Sequence, residues 1–199
     1  MVICPTLIAA AVYYQATLIY EQNQSYNISA INSYLDWVNV MAYGYHGSWE
    51  SQTGEQTALY DPSRPNLNTD YGVSNWLSSG LDATKLLMGL AFYGTSWVLS
   101  SLNNTGIGAP TSSYYEDITY SDIVTFNTNS SVIVVQDNTT VCMYSYNTAS
   151  LVWIGYDSPT TIASKVQYAK NKSVGGYFAW NLAQDDGNWS LAKAGNRSE

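Results

Sequence analysis

The segment "DATKLLMGLAFYG", residues 82–94, constrains the fold more than any other. Leu86 to Phe92 is a near-continuous apolar run without polar alternation. A strand of that kind is covered on both faces, as in a parallel sheet. The stretch before it, "DYGVSNWLSSG", sets Val73, Trp76 and Leu77 at helical spacing and ends at Gly80, a helix stop. Thr6 to Tyr14 reads as another buried strand. "INSYLDWVNVMAY" passes from a short helical turn into a strand over residues 37–43. Residues 159–172 read as an amphipathic helix with Ile162, Val166 and Ala169 inward and Lys165, Lys170 and Lys172 outward. "VGGYFAWNL" is the last buried strand. Strands alternating with helices imply an α/β fold.

Residues 95–158 break the alternation. "ITYSDIVTF", "SSVIVVQDN", "VCMYSYN" and "LVWIGYD" are short β-rich pieces, which imply an inserted α+β lobe around an antiparallel sheet. Residues 44–70 are rich in Gly, Ser, Thr, Asn and Pro and read as a long loop, the kind of segment that often carries function. The polar tail from Asp185 reads as a frayed helix, with Asp185 and Asp186 in a solvated loop.

The chain has 199 residues, 46% of them hydrophobic, enough for one domain with a real core and too apolar for disorder. No apolar run is long enough for a membrane span. A net charge of −8 with only seven Lys and Arg offers no basic patch, so nucleic acid is not an expected partner. Eighteen Tyr and seven Trp supply apolar faces with polar tips, which suit both a core and stacking on sugar rings. The two cysteines, Cys4 and Cys142, make no disulfide framework; one bridge and two free thiols are both open. Sequons at Asn23, Asn27, Asn103, Asn129, Asn138, Asn171, Asn188 and Asn196 favour the secretory pathway. The opening "MVICPTLIAAAVYY" has no positive n-region, so it reads as a strand rather than a secretion signal, and as the interior of something longer.

The common chemistries find little support. His46 is the single histidine and the cysteines lack ligand spacing, so neither a metal nor a cofactor is expected. A Ser-His-Asp or Cys-His arrangement would have only His46 to draw on. Nothing places Glu50 and His46 opposite a second carboxylate, so they are not read as an acid–base pair. The informative stretch is "WVNVMAYGYHGSWE", residues 37–50, where aromatic and polar residues crowd the C-terminal end of a strand like a sugar site.

"DWVNVMAYGYHGSWE", "LLMGLAFYGTSW", "WIGYDSPTTIASKVQYAKNKSVGGYFAWNL" and "PTLIAAAVYY" together resemble the glycoside hydrolase family 18 chitinases, especially the plant class V type, in order and spacing over nearly the whole chain. The resemblance implies a partial TIM barrel with an α+β insertion. Residues 6–14 match barrel strand five, 37–43 strand six, 86–92 strand seven, 95–158 the insertion and 175–181 strand eight. The implied division is 1–94, 95–158 and 159–199. By the same resemblance Trp180 matches the tryptophan under the sugar at the cleavage subsite. Tyr43 matches the tyrosine that holds the acetamido oxygen, and Met41 the methionine beneath it. Trp49 matches an aromatic of the product-side groove and Tyr93 a tyrosine of the groove wall. All lie at or just beyond strand ends, where TIM barrels carry their sites. The implied partners are chitin or N-acetylglucosamine oligosaccharides, and the implied setting is a secreted glycoprotein of plant defence.

Two departures matter. Gly44 stands in place of the Asp of the family's M-x-Y-D motif, which removes a polar contact and loosens the loop. The catalytic signature DxxDxDxE, which the family carries on strand four, is nowhere in these residues. Without its Glu there is no general-acid step, typically worth ~10²–10⁴-fold. The chain is therefore expected to be a chitinase-like polypeptide that does not hydrolyse by itself, with no catalytic residue of its own. A lectin-like chitin-oligosaccharide binder is the alternative, and a purely structural role a third. Four strands do not close a barrel, so exposed edges are expected to drive self-association.

Overall fold

The structure, a computed structural model, describes residues 6–18 and 24–196. Cys4 and Asn23 lie outside the described residues; Cys142 is buried and free. In chain order the elements are β1 (Ala9–Val12), β2 (Thr17–Leu18), β3 (Gln24–Ser25), α1 (Ile28–Tyr34), β4 (Trp37–Val40), α2 (Thr69–Ser78), β5 (Leu86–Ala91) and β6 (Tyr93–Leu99). They continue as β7 (Thr111–Thr119), α3 (Tyr120–Phe126), β8 (Val132–Asp137), β9 (Cys142–Asn147), β10 (Val152–Tyr156), α4 (Pro159–Asn171), β11 (Gly176–Trp180) and α5 (Ser190–Asn196).

Two sheets carry the fold. One is parallel, in the order β1-β4-β5-β11, and the other antiparallel, in the order β7-β6-β10-β9-β8. In the parallel sheet Val38 pairs with Leu86 and Val40 with Met88, so these four side chains share a face. That face is buried under Ile31 of α1, Val73 and Trp76 of α2, Ile162 and Val166 of α4 and Leu191 of α5. The other face is less covered: Ala9 and Ala11 are exposed, and Trp37, Asn39, Leu87 and Phe178 only half-buried. Among the described residues β1 pairs only with β4 and β11 only with β5, so the sheet is a partial α/β barrel that does not close.

The stop at Gly80 works as its sequence predicts. Gly80 has φ +92°, its N–H donates to Leu77 O at 3.0 Å, and Leu81 N–H donates to Trp76 O at 3.4 Å. This is the paired C-terminal motif in which a left-handed glycine satisfies two orphan carbonyls and lets Leu81 fold back on Trp76. In the antiparallel sheet, Trp97 and Trp153 make a separate small core, with Tyr144 stacked on Trp153 at 5.3 Å. The larger core crosses from sheet to sheet through Tyr120, Ile123, Ile154 and Tyr156.

Several expectations need correction. The first two strands are shorter than 6–14 and 37–43. Ala42 N–H bonds Val40 O at 2.8 Å, which turns the chain out of β4. Beyond β1, Tyr13 O accepts from Trp76 Nε1 and Ala16 N–H donates to Asn75 Oδ1, so α2 side chains replace a ladder there. "ITYSDIVTF" is mostly helix α3, because Thr119 caps Asp122 N–H at 3.1 Å and bonds its carboxylate at 2.6 Å. Lys165 does not face outward: it is buried, with Nζ 2.6 Å from both Asp157 oxygens and from Thr57 O. Asp185 is not a solvated loop residue. It is buried and accepts from the N–H groups of Leu191 and Ala192, while Asp186 accepts from those of Asn188 and Ser190, so α5 is anchored rather than frayed.

Candidate functional site

The chain leaves β4 at Val40 and enters a loop that runs to α2. Tyr43 stands on the less covered side of the sheet, edge-on to Tyr93 and Phe178 with both ring centroids 6.3 Å away. Gly89 of β5 makes this possible, since a Cβ there would lie 2.7 Å from Tyr43 Cε1 and 3.0 Å from Phe178 Cζ. Burial pushes the Tyr43 hydroxyl up to about 12, so it remains a donor through the neutral range. Tyr93 is raised by burial too.

Next comes Gly44, at φ +75°. Its N–H donates to Gln56 Oε1 at 3.0 Å, and Gln56 Nε2 donates to Tyr93 O at 3.0 Å. One buried amide thus ties the loop to the start of β6. Tyr45 is buried, with its hydroxyl 3.1 Å from Thr69 Oγ1 and its ring edge-on to Tyr14 at 5.3 Å. Beyond it, Glu50 takes His46 Nδ1 at 2.7 Å on one carboxylate oxygen and Arg64 Nη1 at 2.6 Å on the other.

Together these residues shape a cleft of about 480 Å³. It is lined by Tyr13, Tyr14, Tyr43 and Tyr45, by Trp49, by Glu50 and Arg64, and by Gly44 and Leu67. The size lies in the range of small-ligand sites. An aromatic wall with a few charged and hydroxyl groups can stack on a sugar ring and bond its hydroxyls. Of the expected site residues, Tyr43 and Trp49 line this cleft. Tyr93 packs edge-on against Tyr43 and is not among the residues that line the cleft. Met41 is half-buried just past β4, its N–H bonded to Val12 O at 3.0 Å. Trp180 is 55% exposed at the end of β11, outside the cleft lining.

Sequence reasoning missed Tyr13, Tyr14, Tyr45, Gln56 and Arg64. Tyr13 and Tyr14 carry a signal in hindsight, two adjacent aromatics at a strand's C-terminal end. Gln56 carries none, because its partners lie 12 and 37 residues away. A second polar cluster was missed as well. Glu55 is 2% exposed, and neither carboxylate oxygen has a hydrogen-bond partner among the described residues. Burial pushes it up to about 8, only partly opposed by the Thr140 hydroxyl and the Lys165 ammonium. Burial works most strongly against the Lys165 charge, yet Asp157 together with Cys142 and Glu55 holds the ammonium above its usual range. No group of three or more His, Cys, Asp or Glu among the described residues could hold a metal ion. None of the described helices is long and apolar enough to cross a membrane.

The family model for glycosyl hydrolases family 18 matches residues 5–185. The chain belongs to this family. A class V chitinase of Lotus japonicus is 39% identical over 193 residues, which cover 94% of this chain and 48% of that protein. A class V chitinase of Arabidopsis thaliana is 38% identical, covering 96% and 50%. The chain thus spans about half the length of the curated relatives it matches. Among solved structures, the family 18 chitinase of Cycas revoluta in complex with (GlcNAc)4 superposes with a TM-score of 0.88 at 38% identity, covering 96% of this chain and 55% of that one. A chitinase-like agglutinin of Robinia pseudoacacia superposes with a TM-score of 0.83 at 37% identity, over the same shares. The partial barrel of this family 18 chain therefore corresponds to about half of its structural neighbours.

Proposed function

We propose that this chain is a chitinase-like member of family 18 that binds chitin oligosaccharides in the cleft between Tyr43 and Trp49 and does not hydrolyse them by itself. The observation that carries the reading is the aromatic cleft at the β4 end. Its wall offers stacking faces, and Tyr43 and Arg64 offer donors to hydroxyl or acetamido oxygens. A neighbour whose structure holds (GlcNAc)4 supports this ligand class. The DxxDxDxE signature is absent from the 199 residues, so no group supplies the proton that the glycosidic oxygen needs as it leaves. Met41 and Trp180 would extend the sugar-binding surface beyond the cleft from neighbouring strand ends, Tyr93 would act by backing Tyr43, and residues 95–158 would act as the family's insertion lobe.

The lectin-like reading, in which binding is the whole function, gains from the likeness to the Robinia agglutinin. Secretion as a glycoprotein fits the seven described sequon asparagines, all of which are exposed. Self-association fits the uncharged edge strands β1 and β11. Light scattering on the purified chain tests that last point: a monomer at high concentration would remove it.

The deciding experiment titrates the chain with chitin tetramer while following tryptophan fluorescence and oligomer cleavage. Saturable quenching without cleavage is the expected result. Cleavage by pure protein would overturn the non-hydrolytic reading, and a folded sample with no quenching would overturn the binding reading.

A further inference from the structure

Trp49 is 69% exposed, yet its indole is seated on Gly47 and the residue that follows it, Glu50, is held at both carboxylate oxygens. The six-membered part of its indole lies over Gly47: a Cβ there would sit 2.5 Å from Cζ3 and 2.6 Å from Cη2. Gly47 has an ordinary negative-side backbone, so its bareness serves the indole and not a turn. The next residue along, Glu50, closes a turn on Gly47 O at 3.1 Å and is clamped at both oxygens by His46 and Arg64. His46 is itself buried, its imidazole laid against Gly54, where a Cβ would overlap the ring. Trp49, Glu50 and Arg64 also border a second hollow of about 260 Å³ with Ser51 and Gln52, so they form the divide between two recesses.

We propose that Gly47, His46, Glu50 and Arg64 are positioning residues that hold Trp49 as a pre-set stacking platform for one sugar ring of a chitin oligosaccharide. The inference rests on the binding reading given above. A solvent-exposed indole left to itself would lose rotamer freedom on binding; one already seated on Gly47 loses little. A ring stacked on the free face of Trp49 would then have its hydroxyls beside the Glu50–Arg64 pair, which fixes its orientation as well as its place.

The test uses Gly47→Ala, Arg64→Ala and Trp49→Ala in the full chain, with two readouts. The first is affinity for chitin tetramer. Gly47→Ala and Arg64→Ala should each weaken it about tenfold at an unchanged melting temperature, and neither should weaken it further once Trp49→Ala is present. Losses that add to that of Trp49→Ala, or unchanged affinity in both single variants, would overturn the proposal. The second readout needs no sugar: the ¹⁹F resonance of fluorotryptophan at position 49. A single sharp line that broadens or shifts in both variants supports the platform; a line indifferent to both overturns it. A wild-type chain that binds no tetramer would sink the binding reading, and the ¹⁹F line would still decide the positioning.

Discussion

The antiparallel sheet and the parallel sheet differ in how much each completes by itself. In the antiparallel sheet β8, β9 and β10 follow one another through short turns, and their aromatic core of Trp97, Trp153, Tyr114 and Tyr144 comes from the same lobe. In the parallel sheet every neighbour is separated by a crossover, and one face has helices while the other is half-bare; among the described residues each sheet keeps two unpaired edges. Local pairing lets the first build its ladder and an aromatic core from the same residues, though it leaves a buried Trp97 Nε1 with no hydrogen-bond partner among the described residues. The second buries one face well and depends on something outside itself for the other. The aromatic cleft lies at the end of the dependent sheet but is stitched to the independent one through Gln56 and Tyr93.

Four substitutions break or sharpen that contrast. The largest effect is expected from Trp153→Ala, which empties the small core and frees Thr105 O from its indole N–H; chemical denaturation should show a loss of about 4 kcal/mol. If unfolding then becomes biphasic, the lobe melts apart from the parallel sheet. Lys165→Met removes the ammonium that joins α4, Asp157 and the Thr57 carbonyl, and leaves the buried Asp157 carboxylate with the Thr161 hydroxyl but no counter-charge. A loss of about 3 kcal/mol should appear in the same measurement, and a neutral outcome would show that the seam between the sheets is apolar in substance.

Glu55 supplies a pH dependence. Folded, it holds its proton up to about 8; unfolded, it loses it near 4.5. The folded state therefore binds the extra proton between those values, and its contribution is greatest below 4.5 and lost as the pH rises to about 8. The slope should reach at most about 1.4 kcal/mol per pH unit, and Glu55→Gln should flatten it in a series of melts. The smallest effect is expected at the cleft. In Gly44→Asp the added Cβ meets no atom within 4 Å, so the expected cost is that of the left-handed backbone, about 1 kcal/mol. Calorimetry with chitin tetramer would show whether the restored carboxylate strengthens binding.

What was legible in the sequence was local. α2 could be drawn to its last turn because Val73, Trp76 and Gly80 carry spacing and stop together, and β5 because six residues in a row are apolar or Gly. Lys165 was misread because charge was allowed to outrank position: three residues after Ile162 and one before Val166, it lies on the buried face of α4. The loop over residues 44–68 had no period to read. Its order comes from bonds across large separations, such as Thr53 Oγ1 to Gly106 O and Lys165 Nζ to Thr57 O. Of the site, residues on strand ends were within reach through the family pattern. Gln56 and Arg64 were not, since polar loop residues look alike until their partners arrive.

The Gln56 bridge has a kinetic meaning. By joining the Gly44 amide to the Tyr93 carbonyl it fastens the cleft-lining loop to the strand beside it. A wall assembled before its guest arrives needs no closing step. Encounter and capture would then be a single event, with an observed rate that climbs in a straight line with oligosaccharide concentration and never levels off.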